Sequence, residues 1–262
     1  WKKQYFVHLM RESTESVVLK ETNNSIIIEV DTINSAPNAA WYYESKYIYE
    51  VLDDGNVLLS VSGKASGMKE PHPSLLSSEG SASEAMRGLS VIPKMLPRIG
   101  LDFEIAKEYD LLRWYGRGPG ESYSDSKQAN LFGVYDSDVE STHTNYVKPQ
   151  ENGNRTDVKW VRLQSMRQIG LMAVAEKSMD FSAHFYTISD LEQAKHRHEI
   201  KKSDFISFRL EYKQNGLGTH SCGQDQLEPY RCKFEDFEFK VRLSAYSAKE
   251  ISDYIEAKRR YK

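Results

Sequence analysis

Three carboxylates in glycine-rich turns are the side chains of this chain best suited to acid–base chemistry. Glu121 and Asp125 follow Trp114-Tyr-Gly-Arg-Gly-Pro-Gly120, and Glu151 lies in Tyr146-Val-Lys-Pro-Gln-Glu-Asn-Gly-Asn-Arg155. Glycoside hydrolysis commonly uses two carboxyl groups, about 5–5.5 Å apart for retention and about 6.5–9.5 Å for inversion. A sequence does not give that separation, and turn carboxylates also serve to accept backbone amides. The residues are therefore expected to be structural: Asp125 and Glu151 as turn and amide acceptors, Glu121 as an ion-pair partner of Arg117 or Arg155. Gly118 and Gly120 flank Pro119 and are expected to shape the backbone, since glycine alone reaches positive φ freely. Trp114 ends an apolar run from Leu111 and is expected to be buried.

Two further clusters invite chemistry. His196-Arg-His198 suggests a metal or acid–base pair. Metal sites need three or four ligands, and no Cys or carboxylate joins these two at a recognisable spacing. One buried, hydrogen-bonded His beside one exposed His is the expectation. The second cluster is Gly216-Leu-Gly-Thr-His-Ser-Cys-Gly-Gln-Asp225, a glycine-bounded loop that presents His220, Ser221 and Cys222. Taken alone, it is a connection with a thiol in it. No nucleophile elbow, phosphate-cradling loop or dinucleotide fingerprint is present.

These residues need strands to position them. Val17–Leu19 and Ile26–Val30 bracket Thr22–Ser25 as a hairpin, and Tyr43, Ser45, Tyr47, Tyr49 and Val51 share one strand face. Asp53-Asp-Gly55 turns that strand into Val57–Val61. Ile99–Ile105, Leu111–Tyr115, Val158–Leu163, Leu171–Ala175, Phe181–Tyr186, Ile206–Tyr212 and Phe237–Leu243 supply further strands. Helix signals are confined to capping boxes at Ser189/Glu192 and Ser247/Glu250, the latter opening a short terminal helix with Ile251, Tyr254 and Ile255 at helical spacing. Gly63–Gly88 is rich in breakers and hydroxyls and is expected to be a surface insertion. The pattern predicts an all-β sandwich or barrel over 1–246, followed by a helical tail over 247–262.

Composition excludes several classes. A net charge of −3 lacks the basic excess of a nucleic-acid binder. No run reaches the roughly 18 apolar residues that span a bilayer. Trp1-Lys-Lys is not followed by the apolar stretch of a signal peptide. Two cysteines, Cys222 and Cys232, are too few for a disulfide framework, and a cytoplasmic location is expected.

Trp114-Tyr-Gly-Arg-Gly-Pro-Gly-Glu-Ser-Tyr-Ser-Asp125 and Tyr146–Arg155, with Pro97-Arg-Ile-Gly100 and Gly216–Gly223, resemble the C-terminal small-chain domain of glycoside hydrolase family 2 β-galactosidases. The resemblance runs from Trp1 to about Leu243 and looks closest to the yeast-type branch. The longer Gly63–Gly88 region and the charged tail depart from it. The resemblance implies a large antiparallel two-sheet supersandwich, similar to galactose mutarotase. It also implies that the chain begins within a domain, downstream of a catalytic barrel that carries both catalytic glutamates and the Mg²⁺ and Na⁺ sites. No cofactor is then expected in this region. The family's loop matching Gly216–Asp225 reaches the active site, where the bacterial enzymes place a Trp and the yeast type a Cys, matched by Cys222. His220, Ser221 and Cys222 are thus the expected substrate-side residues, with no catalytic residue in the chain. The resemblance implies an accessory domain that supports the barrel and completes the aglycone side for terminal β-galactosides such as lactose. Its expected partners are that barrel, on the same protein or a large subunit, and further copies in a homo-oligomer. A free-standing carbohydrate-binding module is the alternative, as is a mutarotase-like epimerase pairing His196 with Glu151.

Overall fold

The computed structural model describes residues 6–37, 39–67, 92–219, 223, 226–249 and 251–259. Among them the regular structure is almost entirely strand, paired antiparallel, with two short α-helices. The chain divides into two compact units, Trp1–Pro97 with Cys232–Lys240, and Arg98–Arg231 with Val241–Lys262.

The first unit is a meander. Strands β1 (Arg11–Glu21), β2 (Ser25–Ser35), β3 (Trp41–Leu52) and β4 (Val57–Gly67) pair in sequence order. Both predicted turns form. Thr22 Oγ1 accepts the Ser25 amide at 3.0 Å, and Gly55 takes φ +81° at the β3–β4 turn, a conformation costly for other residues. The expected β3 face is present: Trp41, Tyr43 and Ser45 are buried, and Tyr47 and Tyr49 half-buried. Phe234 and Phe237 meet Tyr43 edge-on, with ring centroids 4.8 and 5.5 Å away. Cys232 is buried. Of the expected Gly63–Gly88 insertion, Gly63–Gly67 completes β4, while 68–91 lie outside the described residues.

The second unit holds the candidate chemistry. It contains β5 (Arg98–Ala106), β6 (Leu111–Gly118), β7 (Leu131–Asp138), β8 (Arg155–Gln164), β9 (Ile169–His184), β10 (Phe205–Gln214) and the Val241–Ser247 part of β11 (Phe237–Ser247). The sequence suggested two strands, at Leu171–Ala175 and Phe181–Tyr186. They are one 16-residue strand, β9, bridged by the exposed Glu176-Lys177-Ser178. Its length has a use: β11 pairs with Ile169–Ala175, and β10 pairs with Asp180–His184. The other edge of β9 carries β8, then β6 and β7, while β5 adds to β10. Strand β7 carried no clear sequence signal, because Leu131, Phe132 and Val134 are all exposed on it.

Period-two alternation on β9 and β10 buries Phe181, Ala183, Ile206, Phe208 and Leu210 on one face. Trp114 sits among them at 1% exposure, its indole N–H donating to the Arg117 carbonyl at 3.0 Å. Tyr135 and Phe181 lie 5.5 and 5.7 Å away, and the Arg155 guanidinium covers the ring at 5.4 Å. Burial of Trp114 is as expected; the glycines differ from expectation. Neither Gly118 nor Gly120 has positive φ. A Cβ on Gly118 would lie 2.7 Å from the Tyr135 ring, so this glycine is required for space. At Gly120 a Cβ would meet only Asn130 Oδ1, at 3.4 Å.

Helix α1 (Ile188–Gln193) is capped by Thr187 and Asp190, not by the predicted Ser189/Glu192 box. Thr187 has extended φ/ψ, which frees its hydroxyl to take the Asp190 amide at 3.2 Å. Helix α2 (Asp253–Lys258) starts at the Ser252 cap, because β11 continues through Ser247; Glu250 of the predicted box lies outside the described residues. Its apolar spacing was misleading. Tyr254 and Ile255 are exposed, and the buried residue is Glu256, which pairs with buried Arg242 of β11 at 2.5 Å. Ile251 and Ala257 pack on the Trp160–Met172–Val174–Tyr246 cluster.

Candidate functional site

Asp125 anchors the start of the loop that follows β10. Its carboxylate accepts the amides of Leu217, Gly218 and Thr219 at 3.2, 2.7 and 2.7 Å and the Thr219 hydroxyl at 2.9 Å. Desolvation opposes ionisation there, but the hydrogen bonds from Thr219, Gly218 and Leu217 win and hold the carboxyl below its ordinary value. The expected role as amide acceptor holds, although the amides belong to the distant Gly216–Asp225 loop and not to its own turn. Gly216 cannot carry a side chain, since a Cβ would stand 2.6 Å from the Asp125 carboxyl carbon. Its N–H donates to the Tyr230 carbonyl, 3.0 Å away. The start of the loop is therefore fixed. His220, Ser221 and Cys222 follow directly and lie outside the described residues.

Glu121 and Glu151 exchange their expected roles. Glu121 pairs with neither Arg117 nor Arg155. It accepts the Gly153 amide at 2.8 Å and the Tyr146 hydroxyl, tying two turns together. Arg117 instead pairs with Asp157 at 2.7 Å, and Arg155 donates to the Gly153 carbonyl at 2.8 Å. Gly153 has φ +76°, and this backbone shape presents its amide to Glu121. Glu151, expected to take amides, joins an ion cluster: Arg98 bridges Glu151 and Glu211, reaching the latter at 2.7 Å. Glu211 is 1% exposed, and desolvation raises its carboxyl despite Arg98.

That cluster belongs to a face that alternation alone suggests is solvated. Asp180, Ser182 and His184 of β9 and Ser207, Arg209 and Glu211 of β10 share it, and all but Asp180 are buried. The reason is tertiary. Asn152 and Glu151 of the Tyr146–Arg155 turn reach this face, Asn152 through its carbonyl 3.0 Å from His184 Nε2. Period-two alternation marks polar residues but not whether a loop covers them, so the sequence held no signal for this network.

His196 and His198 are also corrected. Both are exposed, in a 3₁₀ turn over Arg197–Glu199, with rings stacked 5.6 Å apart. His196 faces Glu199 at 3.1 Å and does not meet Glu151. Among the described residues the buried histidine is His184, which stacks on Tyr186 at 4.7 Å; the Tyr186 hydroxyl is 2.6 Å from His143 Nδ1. Burial, then the Arg209 charge, pushes His184 down to about 3, so it is neutral. Among the described residues no group of three His, Cys, Asp or Glu is placed to hold a metal.

Asp180 gives this network a pH signature. Desolvation, reinforced by the Glu211 and Asp157 charges, pushes its carboxyl up to about 7 against an Asp157 amide bond. An acid raised in the folded state contributes stability below its unfolded value, lost as pH rises through about 7. His184 works the other way, contributing stability at neutral pH that is lost as pH falls below its ordinary value towards about 3. Asp180→Asn should therefore gain on the parent as pH rises from about 4 to about 8. Denaturant midpoints across that range test it; a pH-independent difference would refute the assignment.

Comparison with known proteins places this geometry in context. The family described as "Beta galactosidase small chain" matches residues 1–243. The β-galactosidase of Kluyveromyces lactis is 31% identical over 251 residues, covering 93% of this chain and 22% of that protein. Those of Actinobacillus pleuropneumoniae and Priestia megaterium are each 33% identical, over 60% and 51% of this chain and 15% and 13% of theirs. The chain thus spans less than a quarter of the length of these relatives.

Proposed function

The chain belongs to the β-galactosidase small-chain family, and from that premise we propose that it is the non-catalytic accessory domain of a glycoside hydrolase family 2 β-galactosidase. The parent enzyme would hydrolyse terminal β-D-galactosides such as lactose with retention, using glutamates of a catalytic barrel on the same protein or a large subunit. Mg²⁺ and Na⁺ would bind on that barrel. A cytoplasmic homo-oligomer completes the reading.

One observation carries the non-catalytic assignment: every candidate carboxylate is already engaged. Asp125 holds the Leu217–Thr219 amides, Glu121 the Gly153 amide, and Glu151 the Arg98 guanidinium. A nucleophile or acid must instead face substrate, with its partner carboxyl about 5–5.5 Å away in a retaining enzyme. What the domain offers is the loop. With Leu217–Thr219 fastened to Asp125, the next residues, His220, Ser221 and Cys222, would reach the aglycone side of the pocket. A Cys there supplies less stacking surface than an aromatic ring and leaves a wider opening.

The isolated chain is expected not to hydrolyse a chromogenic β-galactoside above background. Turnover abolished by Glu121→Gln or Glu151→Gln would transfer the chemistry to these carboxylates and end this reading.

A further inference from the structure

Strand β7 is an open edge of the second unit: among the described residues it pairs with β6 on one side and with no strand on the other. Such an edge presents unpaired backbone N–H and C=O groups that can take up a further strand, and proteins usually guard it with charge or proline. Strand β1, at the free edge of the first unit, is guarded in this way by Arg11, Glu12, Glu15, Lys20 and Glu21. The stretch Leu131-Phe-Gly-Val-Tyr135 of β7 carries neither device. It is also apolar and uncovered on both faces. Leu131 is 79% exposed on one face, and Phe132 and Val134 are 43% and 51% exposed on the other. Tyr115 of β6 lies directly opposite Val134, and its exposed ring meets Phe132 at 4.7 Å, which widens the second face by one strand.

Nearby polar groups are satisfied within the chain. Tyr135 donates its hydroxyl to the Leu131 carbonyl at 3.0 Å, and Arg113 Nε stands 3.1 Å from the Asp136 carboxylate. The strand is also complementary to itself. Opposite residues of an antiparallel pair point to the same face, so a two-fold axis relating two copies of one strand must pass through a residue position. Centred on Gly133, Phe132 of each copy faces Val134 of the other and Leu131 faces Tyr135, apolar against apolar on both faces, while Asp136 falls opposite Asn130. Centred on Val134, Asp136 would face Phe132; centred on Phe132, Asn130 would face Val134. We infer that β7 pairs antiparallel with β7 of a second copy about a two-fold axis at Gly133, joining the two sheets into one. The contact needs only this chain and does not depend on the accessory role proposed above. A handful of residues a side is far below the roughly 20–30 of a stable interface, so the dimer is weak and depends on concentration.

Sedimentation velocity of the full chain from about 10 µM to about 1 mM, the span of weak dissociation constants, tests the pairing. The mean mass should rise from monomer towards dimer across that range. Val134→Lys, at an exposed position, sets a charge opposite Phe132 of the second copy and should keep the chain monomeric at every concentration. Near-ultraviolet circular dichroism establishes that the variant is folded. The register has its own readout. In a Cys222→Ser background, Gly133→Cys meets its own copy at the axis, where paired Cα atoms about 4.5–5.5 Å apart lie within the reach of a disulfide. The site has room, since a Cβ at position 133 comes no closer than 3.3 Å, to the Tyr135 hydroxyl. Mild oxidation should cross-link Gly133→Cys but not Asp136→Cys, which opposes Asn130. An unsubstituted chain that stays monomeric throughout, leaving this edge to a segment of a longer protein, would overturn the inference. So would a Val134→Lys protein that associates like the unsubstituted chain, or a Gly133→Cys protein that does not cross-link.

Discussion

Trp114→Ala is expected to bring the chain close to unfolding. The side chain is 1% exposed, wedged among Tyr135, Phe181 and the Arg155 guanidinium, with its indole N–H bonded to the Arg117 carbonyl. Truncating a tryptophan in such a site removes transfer energy and leaves a cavity, for about 3–5 kcal/mol. A domain typically has about 5–15 kcal/mol in total. The loss also exposes Arg155 to a void, although that residue is buried with desolvation already lowering its guanidinium to about 10. Denaturant melts of parent and variant measure the effect. A Trp114→Ala protein within about 1 kcal/mol of the parent would mean that this stretch is not core.

Glu256→Ala should be comparably severe, for an electrostatic reason. Arg242 and Glu256 are both buried, joined at 2.5 Å, and Arg242 also donates to the Glu256 carbonyl and to Ser244 Oγ at 2.6 Å. Removing one partner of a buried pair strands the other charge, at about 3–5 kcal/mol. Replacing both with apolar residues avoids the stranded charge, so Arg242→Met with Glu256→Leu should recover much of the loss. Melts of the single and double variants decide it. If Glu256→Ala costs no more than a surface change and the double variant adds nothing, α2 is not held by this pair.

Much of the architecture was legible because alternation and turn chemistry agree locally. The Thr22–Ser25 and Asp53–Gly55 turns sit between clean β runs, and Ile99–Ile105 and Phe237–Leu243 alternate without interruption. The errors came where tertiary contacts decide. Strand β9 continues through Glu176-Lys177-Ser178 because β8 pairs with it on both sides of that segment, while β11 pairs with the other edge before it and β10 beyond it. Glu256 is buried although Tyr254 and Ile255 carry the hydrophobic pattern, because Arg242 waits on β11. At the candidate site, the sequence identified Asp125 as an amide acceptor but not which amides, since Leu217 is 92 residues away. Glu121 and Glu151 were exchanged for a similar reason: their partners, Gly153 and Arg98, become neighbours only in the folded sheet.

The central claim is that this domain acts on catalysis through a loop fastened by Asp125. The most direct measurement is kcat/KM of the proposed parent β-galactosidase for a series of galactosides with different aglycones, in the unsubstituted, Asp125→Ala and Cys222→Trp proteins. Losing the carboxylate frees three amides and a hydroxyl, so Asp125→Ala should reduce kcat/KM unevenly across aglycones. Cys222→Trp should improve aromatic aglycones by up to about tenfold, the worth of an added stacking face of about 0.5–1.5 kcal/mol. Hydrolysis of all aglycones changing by one common factor, or not at all, in both variants would contradict the account.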